Sequence, residues 1–206
     1  MPIQSLDETA RNILAAATNR FLHYGYGKTT MSEIAGDCNM STGNVYRYFP
    51  SKLDIAETFV RVLREDQLKK LRRAATAPGL TPQERLRALL KTKFTLAYER
   101  FHNRPKAYEL AAAILKERLQ FAVDWENAES EVIAEVLAAG EAERVFAPRD
   151  HKRLARIVQD AVYRFTSPAV FHEGECDVLS GELDEVIDLL LDAFAWRNAR
   201  ARGGAA

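Results

Sequence analysis

Apolar positions recur at helical spacing along nearly the whole chain. Ile13, Leu14, Ala17 and Phe21 form one such face, on a first helix expected from a capping box at Ser5–Glu8 to about residue 24. With only 10 Gly and 7 Pro, and few β-branched runs, nothing indicates strands. The pattern predicts an all-α fold.

Two short helices are predicted next, within the segment Thr29–Lys52. Thr30 and Glu33 form a capping box for the first, and Ser41 can cap the second. Pro50 disfavours helical geometry at the residue before it and ends the second helix. Two helices separated by so tight a turn are typical of a helix-turn-helix.

Polar and aromatic residues face outward on the second short helix. Asn and Arg suit base edges, a glycine allows close backbone approach, and hydroxyls and Lys suit phosphates. The predicted base contacts are Thr42, Gly43, Asn44 and Arg47. The predicted phosphate contacts are Thr29, Tyr46, Tyr48 and Lys52. A plain helical hairpin with a solvated polar face is the alternative.

Longer helices are predicted beyond residue 50. One begins at Ser51, and residues 74–80 with Pro78-Gly79 form a linker before the capped restart at Thr81. Arg104-Pro105 should break that helix. Residues 106–139 are helical in character, with a break expected near Asp124 and Gly140 as a C-terminal cap.

Two apolar stripes with identical spacings mark the last third of the chain. They can close the core of the monomer, or pack on each other and on a second copy. The predicted dimer-interface residues are Leu154, Ile157, Val158, Val162, Phe165, Leu183, Val186, Ile187, Leu190, Leu191 and Phe194.

The overall charge excludes a strongly cationic nucleic-acid binder. The 206 residues carry 29 basic and 29 acidic side chains, a net charge of zero. Residues 1–73 hold 11 Lys/Arg against 8 Asp/Glu, a net of +3. This modest bias predicts a small contact surface that a dimer would double.

Several other classes of protein are disfavoured. No segment is apolar enough to span a membrane and no signal pattern opens the chain, so we expect a cytoplasmic protein. Cys38 and Cys176 lack metal-ligand spacing and read as packing residues. Glu99 and His102 are one element of a di-iron site that lacks its second Glu-x-x-His. We therefore predict no metal, no cofactor and no catalytic residue.

Polar and aromatic residues on the central helices are candidates for a ligand pocket. Each could equally pack its body in the core with its polar tip in water. The candidates are Phe94, Tyr98, His102, Tyr108, Arg118, Phe121, Trp125 and Tyr163. By contrast, Glu126, Glu129 and Glu131 look like a solvated helix face.

Residues 13–52 resemble the DNA-binding domain of TetR-family transcriptional repressors. The resemblance rests on the Phe21…Gly25…Thr29-Thr30 lead-in, on Ile34-Ala35 and on the run Ser41–Phe49 with Ser51-Lys52. Many members carry Gly where this chain has Asn39, and Asn44 replaces a residue that is often small or Thr. The second change bears on which operator is read.

The resemblance implies a helix-turn-helix DNA-binding domain at residues 1–50 and an effector-binding and dimerisation domain at residues 51–206. The last two helices would form the four-helix bundle of a homodimer, and some of the pocket candidates would line an effector site. We therefore expect a regulator, most simply a repressor, that binds double-stranded palindromic operator DNA and is released by a small molecule. The alternatives are a ligand-independent architectural DNA-binding protein and an all-helical enzyme with an unrecognised site.

Overall fold

The computed structural model describes residues 6–147, 150–167, 171 and 175–203, with side chains to residue 195. Within these ranges the regular structure is helical, as the sequence predicts. The α-helices are α1 (Glu8–His23), α2 (Met31–Asp37), α3 (Thr42–Tyr48), α4 (Lys52–Ala75), α5 (Pro82–Phe101), α6 (Pro105–Glu117), α7 (Leu119–Ala142), α8 (His151–Val162) and α9 (Cys176–Gly203), with a 3-10 helix at Tyr163–Thr166 after α8. None of these helices has the length and hydropathy needed to cross a membrane.

The chain forms two compact units. Unit 1 comprises residues 1–66 and 103–125, and unit 2 comprises residues 67–102 and 126–206. Helices α4 and α7 contribute residues to both units. Unit 1 therefore contains α6 and the first turns of α7 together with the three N-terminal helices.

A single apolar core holds unit 1 together. It receives side chains from α1, α2, the short α3 and the start of α4, and α6 adds Leu110 and Ile114 to the same cluster. The fully buried members are Ile13, Ala17, Phe21, Ile34, Val45, Ile55 and Ala56. This core holds the helix-turn-helix against α1, and α6 packs on α1 as well.

Local capping signals determine where the first helices begin. Thr30 and Thr81 form the capping boxes that the sequence predicts, and Ser41 accepts a hydrogen bond from the Asn44 amide. The start of α1 differs, because Asp7 is its N-cap and accepts a 2.8 Å hydrogen bond from the Ala10 amide. The predicted capping residue Ser5 lies outside the described residues.

The break predicted near Asp124 lies instead at Arg118, between α6 and α7. Arg118 has φ −136° and ψ 51°, outside helical geometry. Its guanidinium contacts two carboxylates on α4. A tertiary contact across more than 60 residues of sequence thus accompanies the break, and local pattern could not locate it.

Gly140 lies inside α7 and is not the predicted C-terminal cap. A Cβ at Gly140 would come within 2.1 Å of the Phe146 ring, because that ring packs directly on the helix backbone. The chain turns back through Arg144, which has φ 58°, and the Val145 and Phe146 amides both donate to the Gly140 carbonyl. Close ring packing therefore explains the glycine.

In unit 2, α5 packs against α9 and the 3-10 helix, while α8 packs against both of these. One side of each C-terminal stripe contributes to the core of this unit, together with apolar residues of α5 and α7. The predicted interface residues that are buried within the chain itself are Val158, Val162, Phe165, Leu183, Ile187 and Phe194. These six residues therefore contribute to the core of the monomer.

We expect Gly140→Ala to lower the free energy of unfolding by about 1–3 kcal/mol or more, because an added methyl group overpacks the site against Phe146. Gly181→Ala in α9 is the matched control, since no atom lies within 4 Å of its Cβ position. That control should raise stability by about 0.5–1 kcal/mol. Urea unfolding at one fixed protein concentration measures both; equal effects of the two changes would contradict the packing account.

Candidate nucleic-acid interface

Helix α3 is anchored by two apolar residues and presents polar residues to solvent. Val45 is fully buried and Phe49 is 4% exposed. Gly43, Tyr46, Arg47 and Tyr48 are exposed, with half of the Tyr46 side chain accessible. The predicted base contacts Thr42 and Asn44 are half-buried. A Cβ at Gly43 would meet no atom of the chain within 4 Å, so the backbone there is open to a ligand surface.

The turn between α2 and α3 is made by Asn39 in the left-handed conformation, with φ 52°. Asn tolerates this region better than most residues with a side chain. The Met40 amide donates to the Ala35 carbonyl at 3.0 Å and closes the turn. The turn thereby sets the angle at which α3 leaves its scaffold helix.

Thr29 is not available for the phosphate contact that the sequence predicts. Its side chain is 1% exposed, and its hydroxyl donates a 2.9 Å hydrogen bond to the Gly25 carbonyl. The hydroxyl instead satisfies a buried carbonyl at the end of α1.

Lys52, another predicted phosphate contact, has partners inside the chain. Its ammonium donates to the Tyr26 and Thr29 carbonyls, both at 2.7 Å, and lies 4.3 Å from the centroid of the Tyr26 ring. Burial lowers the pKa of this ammonium. Lys52 therefore ties the start of α4 to the loop between α1 and α2.

A guanidinium clamp fixes α1 to α2. Arg20 donates to both carboxylate oxygens of Asp37, at 2.5 and 2.8 Å, and approaches Glu33 at 3.3 Å. Hydrogen bonding by Arg20 lowers the pKa of the Asp37 carboxyl. A two-point contact of this kind restrains the orientation as well as the distance of the two helices.

Helix α6 reaches the same loop through Glu109. Its carboxylate accepts a 2.7 Å hydrogen bond from the Gly27 amide. Gly25 has φ 100°, and a Cβ there would lie 2.7 Å from the Glu109 carboxylate. The two glycines that end α1 therefore allow a side chain of α6 to approach the loop backbone.

Arg118, a pocket candidate, instead links the junction of α6 and α7 to the start of α4. It donates to Glu57 at 2.9 Å and to Asp54 at 3.2 Å. Asp54 in turn accepts a 2.6 Å hydrogen bond from Ser51, which follows the proline that ends α3. Hydrogen bonds thus connect Arg118 through Asp54 to Ser51, shortly after the end of α3.

The remaining pocket candidates are divided between the units. Phe94, Tyr98 and His102 of unit 2 lie together, and the Tyr98 ring stacks on His102 at 4.4 Å and meets Phe171 edge-on at 5.5 Å. Tyr163 in unit 2 is 64% exposed. Tyr108, Phe121 and Trp125 belong to unit 1, where Arg61 lies over Phe121 and Arg64 over Trp125.

The sequence interpretation missed a buried polar network in unit 2. Glu129, read as part of a solvated face, is 4% exposed and pairs with Lys93 and Gln67. Lys93 falls at helical spacing from the apolar residues Leu89 and Leu90, and that spacing could have identified it. Among the described residues, no group of His, Cys, Asp or Glu could hold a metal ion.

Two sequence models of protein families match the chain. Residues 13–58 match "Bacterial regulatory proteins, tetR family", and residues 82–187 match "Tetracyclin repressor-like, C-terminal domain". The HTH-type transcriptional regulator HbdR of Aromatoleum sp. (strain CIB) is 42% identical over 50 residues, which span 24% of this chain and 22% of that protein. That local match covers less than a quarter of the relative.

Solved structures match over nearly the whole chain. A TetR-family transcriptional regulator from Mesorhizobium loti MAFF303099 has a TM-score of 0.72 at 18% identity, covering 90% of this chain and 96% of that one. A TetR/AcrR-family regulator from Thermobifida fusca YX-ER1 has a TM-score of 0.67 at 23% identity, covering 91% of this chain and 99% of that one. SmeT, the repressor of a Stenotrophomonas maltophilia multidrug efflux pump, has a TM-score of 0.66 at 21% identity, covering 91% of this chain and 92% of that one. These likenesses show the fold.

Replacing the Lys52 ammonium should destabilise the protein, because this group holds two backbone carbonyls. We expect Lys52→Met to lower the free energy of unfolding by about 1–3 kcal/mol, because two carbonyls lose a charged donor. Lys28→Met, exposed in the same loop, should change it by less than about 0.5 kcal/mol. Suppose instead that Lys52→Met leaves stability unchanged and makes the slope of log DNA affinity against log salt concentration shallower by about one unit. That result would support a phosphate contact by Lys52.

Proposed function

The chain belongs to the TetR family of bacterial regulatory proteins and is a DNA-binding transcriptional regulator, and we propose that it is a repressor with a palindromic operator. In this proposal a homodimer occupies the operator and a small-molecule effector releases it. The observation that carries the proposal is α3, whose apolar side is buried while Tyr46, Arg47 and Tyr48 face solvent beside an open glycine backbone. The family matches place the chain among regulators and not among enzymes.

Sequence reading is assigned to the outward edge of α3. Arg47 is exposed and suits a guanine edge, and Asn44 suits an adenine edge. Asn44 is half-buried, with its amide 3.9 Å from the Met40 sulfur, a weak contact that a base could replace. Thr42 at the start of the helix completes the proposed base contacts, with the Gly43 backbone approaching the groove closely.

Phosphate contacts are assigned to the tyrosines Tyr46 and Tyr48, whose side chains are 50% and 36% exposed. Each phenolic hydroxyl can donate to a phosphate oxygen. Because Thr29 and Lys52 have partners inside the domain, we propose few phosphate contacts for each copy. This shortage supports a dimer, since a second copy doubles the contact surface.

The outer halves of the C-terminal stripes are the proposed dimer surface. Ile157 of α8 is 48% exposed, while Leu154, Val186, Leu190 and Leu191 are half-buried. Leu189 of α9 is 69% exposed, more than any other large apolar side chain described on this helix. Apolar area of this kind favours association with an identical surface on a second copy.

Effector release is proposed to act through the hydrogen bonds that hold α4. Successive major grooves lie roughly 34–36 Å apart, so an effector must favour a state in which the two copies of α3 no longer match that spacing. The bonds of Arg118 to Asp54 and Glu57 are partly exposed and individually weak. Contacts of this strength suit a switch, because modest ligand energy is enough to rearrange them. A ligand-independent architectural DNA-binding protein would show no effector response.

We expect Arg47→Ala to relax sequence preference at one base step, at a cost of about 1–3 kcal/mol for the preferred base. The reason is loss of a bidentate donor to a base edge while α3 stays anchored by Val45. Titration of the operator and of its single-base variants measures this. Tyr46→Phe is the comparison, and it should weaken all sequences alike. An equal loss on every sequence for Arg47→Ala would move Arg47 to the phosphate contacts.

We expect Ile157→Glu to raise the dimer dissociation constant by about 100-fold or more, because an unpaired carboxylate would be buried between two copies. Leu115→Glu on α6, where the leucine is 55% exposed, is the matched control and should leave the dimer intact. Sedimentation velocity across a range of concentrations measures both. A dimer unaffected by Ile157→Glu would exclude this part of α8 from the interface.

A further inference from the structure

Three buried polar residues of unit 2 meet at one carboxylate. Gln67 of α4, Lys93 of α5 and Glu129 of α7 are 3%, 7% and 4% exposed. The Lys93 ammonium lies 2.7 Å from one Glu129 oxygen, and the Gln67 amide donates to the other at 2.6 Å. Three helices therefore bring a complete ion pair into an otherwise apolar interior.

A buried ion pair such as this one is weak evidence of a role in fold stability. Removing two charges from water carries a large penalty, and well-packed apolar residues of similar volume are often as stable or more so. Lys93 shares its helix face with Leu89, Leu90 and Ala97, and Glu129 shares its face with Val132 and Ile133. A ligand site between helices characteristically has such an apolar surround with a few convergent polar groups.

The two charges differ in how firmly they are held. Glu129 has a short side chain on a buried helix face, and its Gln67 partner is itself held by a 2.7 Å hydrogen bond from Arg100 to the amide oxygen. Lys93 carries its charge on four methylene groups, and such stems can turn to place the ammonium in water. The carboxylate is the fixed half of the pair, and the ammonium is the half that can leave.

We propose that Glu129 is the anchor for the protonated amine of an organic cation with an apolar body, and that Lys93 occupies this position in the absence of that ligand. Exchange of one ammonium for another keeps the buried carboxylate neutralised. An incoming anion would have to displace Glu129 from Gln67 or stand beside a like charge. Calling this cation the effector rests on the proposed function above; the binding itself does not.

The test uses three probes that share one alkyl chain and differ only in the head group. Hexylammonium, hexanol and hexanoate are titrated calorimetrically into the full-length protein at neutral pH. Hexylammonium should bind the wild type at least tenfold more tightly than hexanol, and hexanoate should not bind. Tighter binding of hexanoate or of hexanol than of hexylammonium would overturn the proposal.

Four variants locate the site. Glu129→Gln should weaken hexylammonium binding at least tenfold, while Glu131→Gln, an exposed carboxylate on the same helix, should leave it unchanged. Lys93→Ala removes the competing ammonium and should strengthen binding at least tenfold. If Lys93→Ala does not fold alone, hexylammonium should restore its folding where hexanol does not, and Lys93→Met supplies the same comparison with the stem retained. Equal binding to the wild type and Glu129→Gln, or no binding to either the wild type or the Lys93 variants, would overturn the proposal.

The outcome is separable from that of the proposed function. Operator binding without any probe tests DNA recognition, and calorimetry without DNA tests the cation site. If hexylammonium binds through Glu129 but does not release the protein from operator, the proposed cation site stands. Its proposed role as the effector site is then rejected. If the protein binds operator but not hexylammonium, the proposed regulatory function stands and the proposed cation site is rejected.

Discussion

A helix of seven residues is not stable in water, so α3 exists only because unit 1 holds it. Val45 and Phe49 insert into the common core, and the Asn39 turn fixes the angle to α2. The anchored side leaves the opposite edge free to carry DNA contacts. One face of α3 packs in the core and the opposite face is exposed. A change in the core would therefore also move the exposed face.

Three side chains extend that constraint beyond the helix-turn-helix. Lys52 connects α4 to the loop after α1, Glu109 connects α6 to the same loop, and Arg118 connects the α6–α7 junction to α4. Each contact is polar and partly exposed, whereas the α3 anchor is apolar and buried. The exposed contacts of Glu109 and Arg118 contribute little stability individually and can be exchanged at low cost, whereas the half-buried Lys52 ammonium contributes more. In unit 1, α3 is therefore held firmly by apolar packing, while the polar contacts around it are easier to rearrange.

The sequence was sufficient wherever the signal was local. Capping residues such as Thr30 and Thr81 predicted helix starts, and the pattern of residues 13–52 identified both the helix-turn-helix and the family. The sequence interpretation missed contacts whose partners are distant in the chain. The Lys52 ammonium donates to the Tyr26 and Thr29 carbonyls, and Glu129 pairs with Lys93 of another helix. No periodicity encodes those pairings. The DNA, partner and effector contacts stay predictions.

The central claim is that two copies of this chain read DNA together. Selection of bound sites from random duplex DNA, followed by measurement of the number of protomers per selected site, tests it most directly. The account predicts a palindrome whose half-site centres lie about 10 base pairs, or a multiple of that, apart, with two protomers or a multiple of two on each site. Enrichment of single half-sites bound by one protomer, or no enrichment of any sequence, would contradict it.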